Sequence, residues 1–382
     1  MQELWRFWFP GSKPDPWHWN SDPKGLQARF PDKSVTMGES MKACLYEPLK
    51  NLKVQCHLCS HRCVISEGQR GQCCVRENQE GILKTLVYGR LIAGHADPIE
   101  KKPFFHFMPG SMSYSIATVG CNFSCRFCQN AEISRMPADH NGKIAGTICS
   151  SSSVLDEAQK TGCRSIAYTY TEPTVFFEFA LDTAKLAHEK GLRNVFVTNG
   201  YMTPEALEKI HPYLDAANVD LKAFQEKFYK EVCGASLKPV QKTLSLMKSM
   251  GIHIEITTLL IPGMNDDPIH LSEMAAFIAS DLGSDTPWHI SRFHPTYKLT
   301  DCPPTSLNAL INAREIGIHA GLKYVYTGNV PGDICENTYC HHCGKLLIER
   351  WGFAIRKNRI LDSRCVFCRS VVPGIEMSGR HI

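Results

Sequence analysis

Three cysteines set the chemical question. Cys121, Cys125 and Cys128 lie in TVGCNFSCRFCQN with the spacing C-x3-C-x2-C, directly after an apolar run that reads as a strand. Three thiolates on one short loop cannot complete a cubane iron–sulfur cluster, because every iron of the cube wants its own ligand. One iron stays open, and an open coordination position marks chemistry rather than electron storage, as it does in a catalytic zinc site. A zinc ion borrowing a distant fourth ligand is the competing reading of the same thiols.

Two further cysteine groups flank the triplet. Cys56, Cys59, Cys63 and Cys73 form C-x2-C-x3-C-x9-C, with an extra thiol at Cys74. Four thiolates suit either a zinc ion or an accessory iron–sulfur cluster, and the expectation is a structural site whose metal is unassigned. Near the C-terminus, Cys340 and Cys343 pair with Cys365 and Cys368 as two C-x2-C knuckles 21 residues apart around a hairpin-like stretch. That pattern predicts a zinc ribbon, with a rubredoxin-like iron site as the alternative on the same ligands. Its aromatics and charges form no basic stripe, so an architectural lid or a partner-docking role is expected in preference to nucleic-acid binding. Cys44, Cys149, Cys163, Cys233, Cys302 and Cys335 are scattered, and most read as small core residues.

The elements that must position these thiols follow a regular alternation from residue 113 onward. Apolar strands read at 113–119, 165–170, 194–198, 216–221, 253–261 and 288–293, with a further strand at 323–327. Helices read at 152–161, 174–190, 203–210, 237–250, 267–280 and 305–319. The fold class is α/β: a partial (β/α)6 barrel of TIM type, its functional residues at the strand C-termini, with a small cysteine-rich module at each end. The predicted domains are a Trp/Pro-rich leader over 1–37, an N-terminal cysteine module over 38–112, the barrel over 113–330 and the zinc-ribbon-like module over 331–382. The leader carries four of the six tryptophans, which are expected to pack on the main body. DPIEKKPFFHF (97–107) reads as a connection into the first strand, with Lys101, Lys102 and His106 in a solvated basic turn.

Composition narrows the class. The 382 residues carry 42 Lys and Arg against 38 Asp and Glu, a net charge of +4, which is too slight for a dedicated nucleic-acid binder. No apolar run is long enough to span a membrane, and the first residues lack the plan of a signal peptide. Eighteen cysteines in a long chain of this kind point to reduced, metal-binding thiolates in the cytoplasm rather than to disulfides.

The triplet, with Phe127 before its last cysteine, resembles the signature of the radical S-adenosylmethionine (SAM) superfamily. The resemblance implies a [4Fe–4S] cluster on Cys121, Cys125 and Cys128, SAM chelating the open iron, and reductive cleavage of SAM to methionine and a 5′-deoxyadenosyl radical. Phe127 would lie near the adenine. YTYTEPT (168–174) stands where the superfamily has a Gly-Gly-Glu-Pro-like stretch, which implies that Glu172 binds the SAM amino group, with Tyr170 and Thr171 carbonyls in place of the glycines. VTNGY offers Asn199 as a ribose contact. NVDLKA is similar to the Asp-x-Lys motif of pyruvate formate-lyase activating enzymes, implying Asp220 on the ribose and Lys222 on the SAM carboxylate. IPGMNDD (261–267) and SRFHPTYKL (291–299) resemble that branch too, with Arg292 and His294 facing SAM or substrate.

Through the CHLCSHRCVI stretch, HADPIEKKPFFHFMPGS (95–111), CNFSCRFCQN and YTYTEPT, the chain from about residue 40 to its end is similar to the AmmeMemoRadiSam system radical SAM enzymes. An oxygen-labile cluster implies a reducing compartment and an external low-potential electron donor. Two outcomes stay open for the radical: direct attack on a small molecule or peptide, which is the expectation, or activation of a partner protein as a glycyl-radical activase. A third reading makes the chain a multi-zinc interaction protein, but it leaves the three-ligand group and the polar strand ends unexplained.

Overall fold

The computed structural model describes residues 40–330 and 332–378, so the predicted leader lies outside the described residues. At its centre is an eight-stranded sheet: β1 (Ala93–Pro98), β2 (Met112–Ala117), β3 (Ser165–Tyr168), β4 (Arg193–Thr198), β5 (Ala216–Asp220), β6 (His253–Leu260), β7 (Trp288–Arg292) and β8 (Val325–Gly328). Each strand lies beside its sequence neighbour. β1 and β2 pair antiparallel, and every later pair is parallel. A strand order that never reverses, built with one crossover hand, curls a sheet toward a barrel. β1 and β8 remain as edges, so the barrel is open.

Local chemistry explains the crossovers. The helices are α1 (Ser151–Lys160), α2 (Phe177–Glu189), α3 (Pro204–Ile210), α4 (Leu237–Ser249), α5 (Pro268–Phe277) and α6 (Leu307–His319). Ser150, Thr203, Asp267 and Ser306 each accept a backbone N–H at the start of α1, α3, α5 and α6, and such a cap contributes about 1 kcal/mol. The strands are short and almost wholly buried, as parallel strands covered by helices must be.

The segment before the expected barrel departs from the sequence reading. β1 lies ahead of residue 113 and joins the sheet, and the stretch after it is not a solvated turn. Lys102 and His106 are buried, and Lys101 is half-buried. Asp97 is the reason: its two carboxylate oxygens take the Lys101 ammonium at 2.8 Å and the Lys102 ammonium at 2.7 Å. Burial pulls Lys102 down to about 8 while Asp97 opposes that shift. The Tyr170 hydroxyl also donates to Asp97, and the Lys102 ammonium sits 4.1 Å from the Tyr170 ring centroid. The basic residues therefore hold the turn that follows β3.

Beyond them, residues 99–108 plug the barrel at the strand N-termini. Ile99, Phe104, Phe107 and Met108 pack on Ala167, Val195 and Ala216. The main-chain N–H groups of Phe105 and His106 donate to Glu255, which also faces His253 and His289 at 3.2 and 2.7 Å. The C-terminal module, with antiparallel strands at Thr338–Tyr339, Leu346–Trp351 and Ala354–Asn358, closes over this mouth through Tyr324, Tyr326, Leu347 and Ile348. The N-terminal module lies at the other end. The Ser60 amide donates to the Tyr201 carbonyl at 2.9 Å, and Cys59 bridges Met202, just beyond the end of β4.

Candidate functional site

The loop that leaves β2 carries Cys121, Cys125 and Cys128 across the C-terminal end of the sheet. Gly120 opens it at φ +101°, a conformation that suits glycine, and an added Cβ there would stand 2.6 Å from Val75 Cγ1. The loop is pinned from several sides. Ser124 and Arg126 amides donate to the carbonyls of Cys233 and Val232, Lys298 donates to the Arg126 carbonyl, and the Arg135 guanidinium donates to Phe123. Its aromatics point inward: Phe123 packs on Tyr201 and Tyr229, and Phe127 on Phe228.

Each thiol has its own surroundings. The Phe123 amide donates to Cys121 Sγ at 3.4 Å, and the Asn199 side-chain amide lies 3.9 Å from the same sulfur. Burial, with the Glu172 carboxylate second, pushes the Cys121 thiol well up. Ser134 Oγ lies 3.2 Å from Cys128 Sγ. Cys125 shares a hydrogen bond with Cys233, which outweighs burial and draws its thiol down. A thiol held protonated by burial becomes a ligand when metal displaces its proton.

The strand ends supply the polar side chains. Glu172, at the turn after β3, is buried: Oε1 accepts from the Thr174 amide and the Thr174 and Thr198 hydroxyls, and Oε2 accepts one bond, from the Asn199 amide at 2.8 Å. Burial raises its carboxyl all the same. Thr171 Oγ1 donates to the Thr118 carbonyl, and Tyr170, at φ +63°, offers its carbonyl to Asn130. Asn199 reaches Asn122 Oδ1 at 2.7 Å. After β5, the Lys222 ammonium pairs with Asp220 at 3.0 Å and stands 5.7 Å from the Phe127 ring centroid. Burial works against that ammonium, but Asp220, Cys125 and Cys233 together hold it well above the ordinary lysine range.

The predicted residues thus gather in two arcs around the loop. Asn199, bonded to Glu172, reaches Cys121 on one side; Lys222, paired with Asp220, stands by the Phe127 ring between Cys125 and Cys128 on the other. Arg292 and His294 are not drawn in. Arg292 donates to the Thr305 carbonyl at 2.8 Å, and His294 is exposed, its imidazole lowered by partial burial and by Arg292. Among the described residues no hydrogen bond or ion pair joins either one to the cysteine loop.

The sequence reading missed Asn122, Ser134, Cys233 and the Asp97–Lys102–Tyr170 group. Asn122 and Ser134 sit within or just past the motif and could have been read as neighbours of the thiols. Cys233 gave no signal, since a scattered cysteine on a distant segment looks like core. The donor set fits an iron–sulfur cluster: three thiols share one loop, N–H and O–H groups face two of the sulfurs, and Asn122 Nδ2 is buried there without a hydrogen-bond partner.

The two flanking cysteine groups differ. Cys340, Cys343, Cys365 and Cys368 place their four sulfurs within 4.8 Å of one another, so the group could hold a metal ion. Cys56, Cys59, Cys63 and Cys73 line one small cavity without closing that tightly, and Cys74 turns away toward the Gln72 carbonyl. Among the described residues no helix is long and apolar enough to cross a membrane.

Residues 115–275 match the family model for the Radical SAM superfamily. An uncharacterized protein of Methanocaldococcus jannaschii is 46% identical over 329 residues, covering 86% of this chain and 97% of that protein. A putative glycyl-radical enzyme activating enzyme of the same archaeon is 23% identical over 215 residues, 55% of this chain and 77% of its own. Among solved structures, Streptococcus suis SuiB bound to precursor peptide SuiA superposes with a TM-score of 0.46 at 15% identity, over 60% of this chain and 51% of that one.

Proposed function

The chain belongs to the radical SAM superfamily and is a radical SAM enzyme, and from that premise we propose that Cys121, Cys125 and Cys128 hold its [4Fe–4S] cluster. Bound there, the cluster supplies an open iron for SAM and the electron that divides SAM into methionine and a 5′-deoxyadenosyl radical, which takes hydrogen from a substrate. The protein's own side chains bind and orient. Phe127, with Lys222 near its face, gives the adenine an apolar shelf. Asn199 and Asp220 face the ribose, and Lys222 the SAM carboxylate. Asp220 and Lys222 pair with each other at 3.0 Å, so the two would hold SAM together, the carboxylate on the ribose and the ammonium on the SAM carboxylate. Glu172 Oε2 accepts one hydrogen bond in the structure and keeps capacity for the SAM ammonium beside the Tyr170 and Thr171 carbonyls. Arg292 and His294 are left to face substrate.

The observation that carries this reading is the Asn199 side-chain amide 3.9 Å from Cys121 Sγ on one arc and Lys222, paired with Asp220, 5.7 Å from the Phe127 ring of the same loop on the other, reached from the ends of β4 and β5. The test is anaerobic incubation with SAM and dithionite, reading 5′-deoxyadenosine. Wild-type protein should release it, and Cys125→Ala should fall to the no-enzyme background. Release by Cys125→Ala at the wild-type rate would remove the triplet from the mechanism.

We assign zinc to the C-terminal group, an external low-potential electron donor to the reaction, and a reducing cytoplasm to the protein. The acceptor of the radical is a small molecule or a peptide. A second reading, activation of a partner protein, is supported by the relative named as a putative glycyl-radical enzyme activating enzyme. A glycyl-radical EPR signal arising in a partner protein after incubation would decide for the second.

A further inference from the structure

The N-terminal cysteine group was expected to be a structural metal site, and its geometry argues for more. Four thiolates around one zinc ion, with Zn–S bonds of about 2.3 Å, stand about 3.8 Å apart. The C-terminal group meets that measure: Cys340 and Cys368 sulfurs are 3.6 Å apart, and Cys343 and Cys365 sulfurs 3.8 Å. Cys56, Cys59, Cys63 and Cys73 line one cavity, yet no three of their sulfurs come within 4.8 Å of one another. The catalytic triplet is spread in the same way. A cubane puts a separate iron behind each thiolate, with sulfides between the irons, and so sets its cysteines farther apart than one shared ion can.

A second observation concerns Arg76, which lines this cavity and is 1% exposed. Its Nη2 donates to the Cys44 carbonyl at 2.6 Å and pairs with Glu178 at 3.0 Å. Its Nε and Nη1 are buried and have no hydrogen-bond partner. Buried guanidinium N–H groups are seldom left unmatched, and an anion rich in sulfur acceptors beside them would satisfy both. Backbone donors already face the ligands: the Gln72 amide lies 3.5 Å from Cys63 Sγ. Such N–H···S contacts tune iron–sulfur clusters.

We propose that Cys56, Cys59, Cys63 and Cys73 hold a second, fully ligated [4Fe–4S] cluster, with Arg76 donating to its sulfur shell. With all four irons capped it has no open position for SAM, which suits it to holding an electron. It lies against the catalytic loop. The Cys73 carbonyl is 3.3 Å from where a Gly120 Cβ would stand, next to Cys121, and Thr174 lines the cavity two residues after Glu172.

The experiment uses the full chain purified anaerobically, with iron, acid-labile sulfide and zinc counted per chain. Wild-type protein should hold about eight irons. The triple variant Cys121→Ala/Cys125→Ala/Cys128→Ala should keep about four irons and four sulfides, together with a cluster EPR signal after dithionite. That variant separates this proposal from the catalytic assignment, since the residual iron does not depend on the triplet. Zinc in place of iron, iron without labile sulfide, or about two of each in the triple variant would overturn the cubane. Adding Cys59→Ser should remove the residual iron while the C-terminal metal stays. Should that variant fail to fold, iron-edge X-ray absorption on the triple variant decides: Fe–Fe scattering supports the cluster, and Fe–S scattering alone overturns it.

Discussion

Two four-cysteine groups of equal ligand count sit at opposite ends of one barrel, and their geometry separates their roles. The C-terminal group folds each C-x2-C into a tight knuckle. The Gly344 amide donates back to the Cys340 carbonyl, and the Arg369 amide to that of Cys365, drawing all four sulfurs together. The module lies over the strand N-termini, the face of a TIM-type sheet that serves stability rather than catalysis. The N-terminal group takes Cys56 from a strand, Cys59 and Cys63 from the following turns and Cys73 from beyond Gly71. Its sulfurs stay apart, and it meets the end of the barrel where chemistry occurs. Ligand type and number are thus shared; spacing and location carry the difference. The C-terminal module accordingly cannot serve as a lid over the catalytic loop, and its role is architectural or one of docking.

The strongest way to break this comparison is to remove a ligand of the zinc proposed for the tight group alone. Cys365 is fully buried among Tyr324, Tyr326, Leu347 and Ile348. Structural zinc in small modules is worth about 10–16 kcal/mol of coupled folding free energy, so Cys365→Ser should unfold the module locally. Hydrogen exchange over 346–358 should rise to near the unprotected rate, while the iron proposed for the triplet is retained. Unchanged protection there would end the architectural role.

A smaller effect sharpens the same contrast through pH. His106 joins the barrel to the C-terminal module, with Nδ1 2.7 Å from the Pro373 carbonyl and Nε2 2.7 Å from the Tyr326 hydroxyl. Burial lowers its imidazole from 6.5 to about 4, with Arg350 and His253 adding to the shift and Glu255 and the Pro373 carbonyl opposing it. Above pH 6.5 the ring is neutral in both folded and unfolded chains. As pH falls from 6.5 toward 4, the unfolded chain takes the proton first, and stability drops by roughly 3 kcal/mol. Denaturant midpoints of the C-terminal module between pH 7.5 and 4.5 should show that loss, and His106→Gln should flatten it. An equal slope in the variant would assign the loss to other groups; Glu255, whose carboxyl the two histidines hold well below the usual range despite burial, contributes nothing to that slope, because its stabilisation is lost only below the ordinary carboxylate range.

Much of this arrangement was legible in the sequence. The strands and helices of the barrel follow from apolar periods and caps, and the triplet from its spacing, because both depend on residues close together along the chain. The charged stretch after Asp97 was not legible. Lys101 and Lys102 look solvated until a carboxylate four and five residues away is folded against them, and Tyr170 arrives from the turn after β3 to complete the group. Arg292 followed from a motif, but motif position says nothing of the Thr305 carbonyl that takes its Nε–H. The difference between tight and open cysteine groups lay hidden too, since C-x2-C spacing fixes which thiols are neighbours and leaves the distance between pairs to the tertiary fold.

The adjacent thiols of Cys73 and Cys74 offer the finest division within the open group. The spacing puts Cys73 in the ligand set and leaves Cys74 as the extra thiol, and of the two only Cys73 lines the four-cysteine cavity. Cys74 has φ +59°, and its sulfur points to the Gln72 carbonyl at 3.6 Å. Serine in its place keeps the Cβ, and hence the backbone cost of that conformation, so Cys74→Ser should shift stability by no more than about 0.5 kcal/mol. Iron and labile sulfide per chain should stay at the wild-type level. Cys73→Ser, one residue away, should lose about half the iron if the open group holds a cubane. Should Cys74→Ser lose that iron and Cys73→Ser keep it, the ligand set drawn from the cavity would be wrong, and the chain would have to turn at Gly71 differently to bring the second thiol inward.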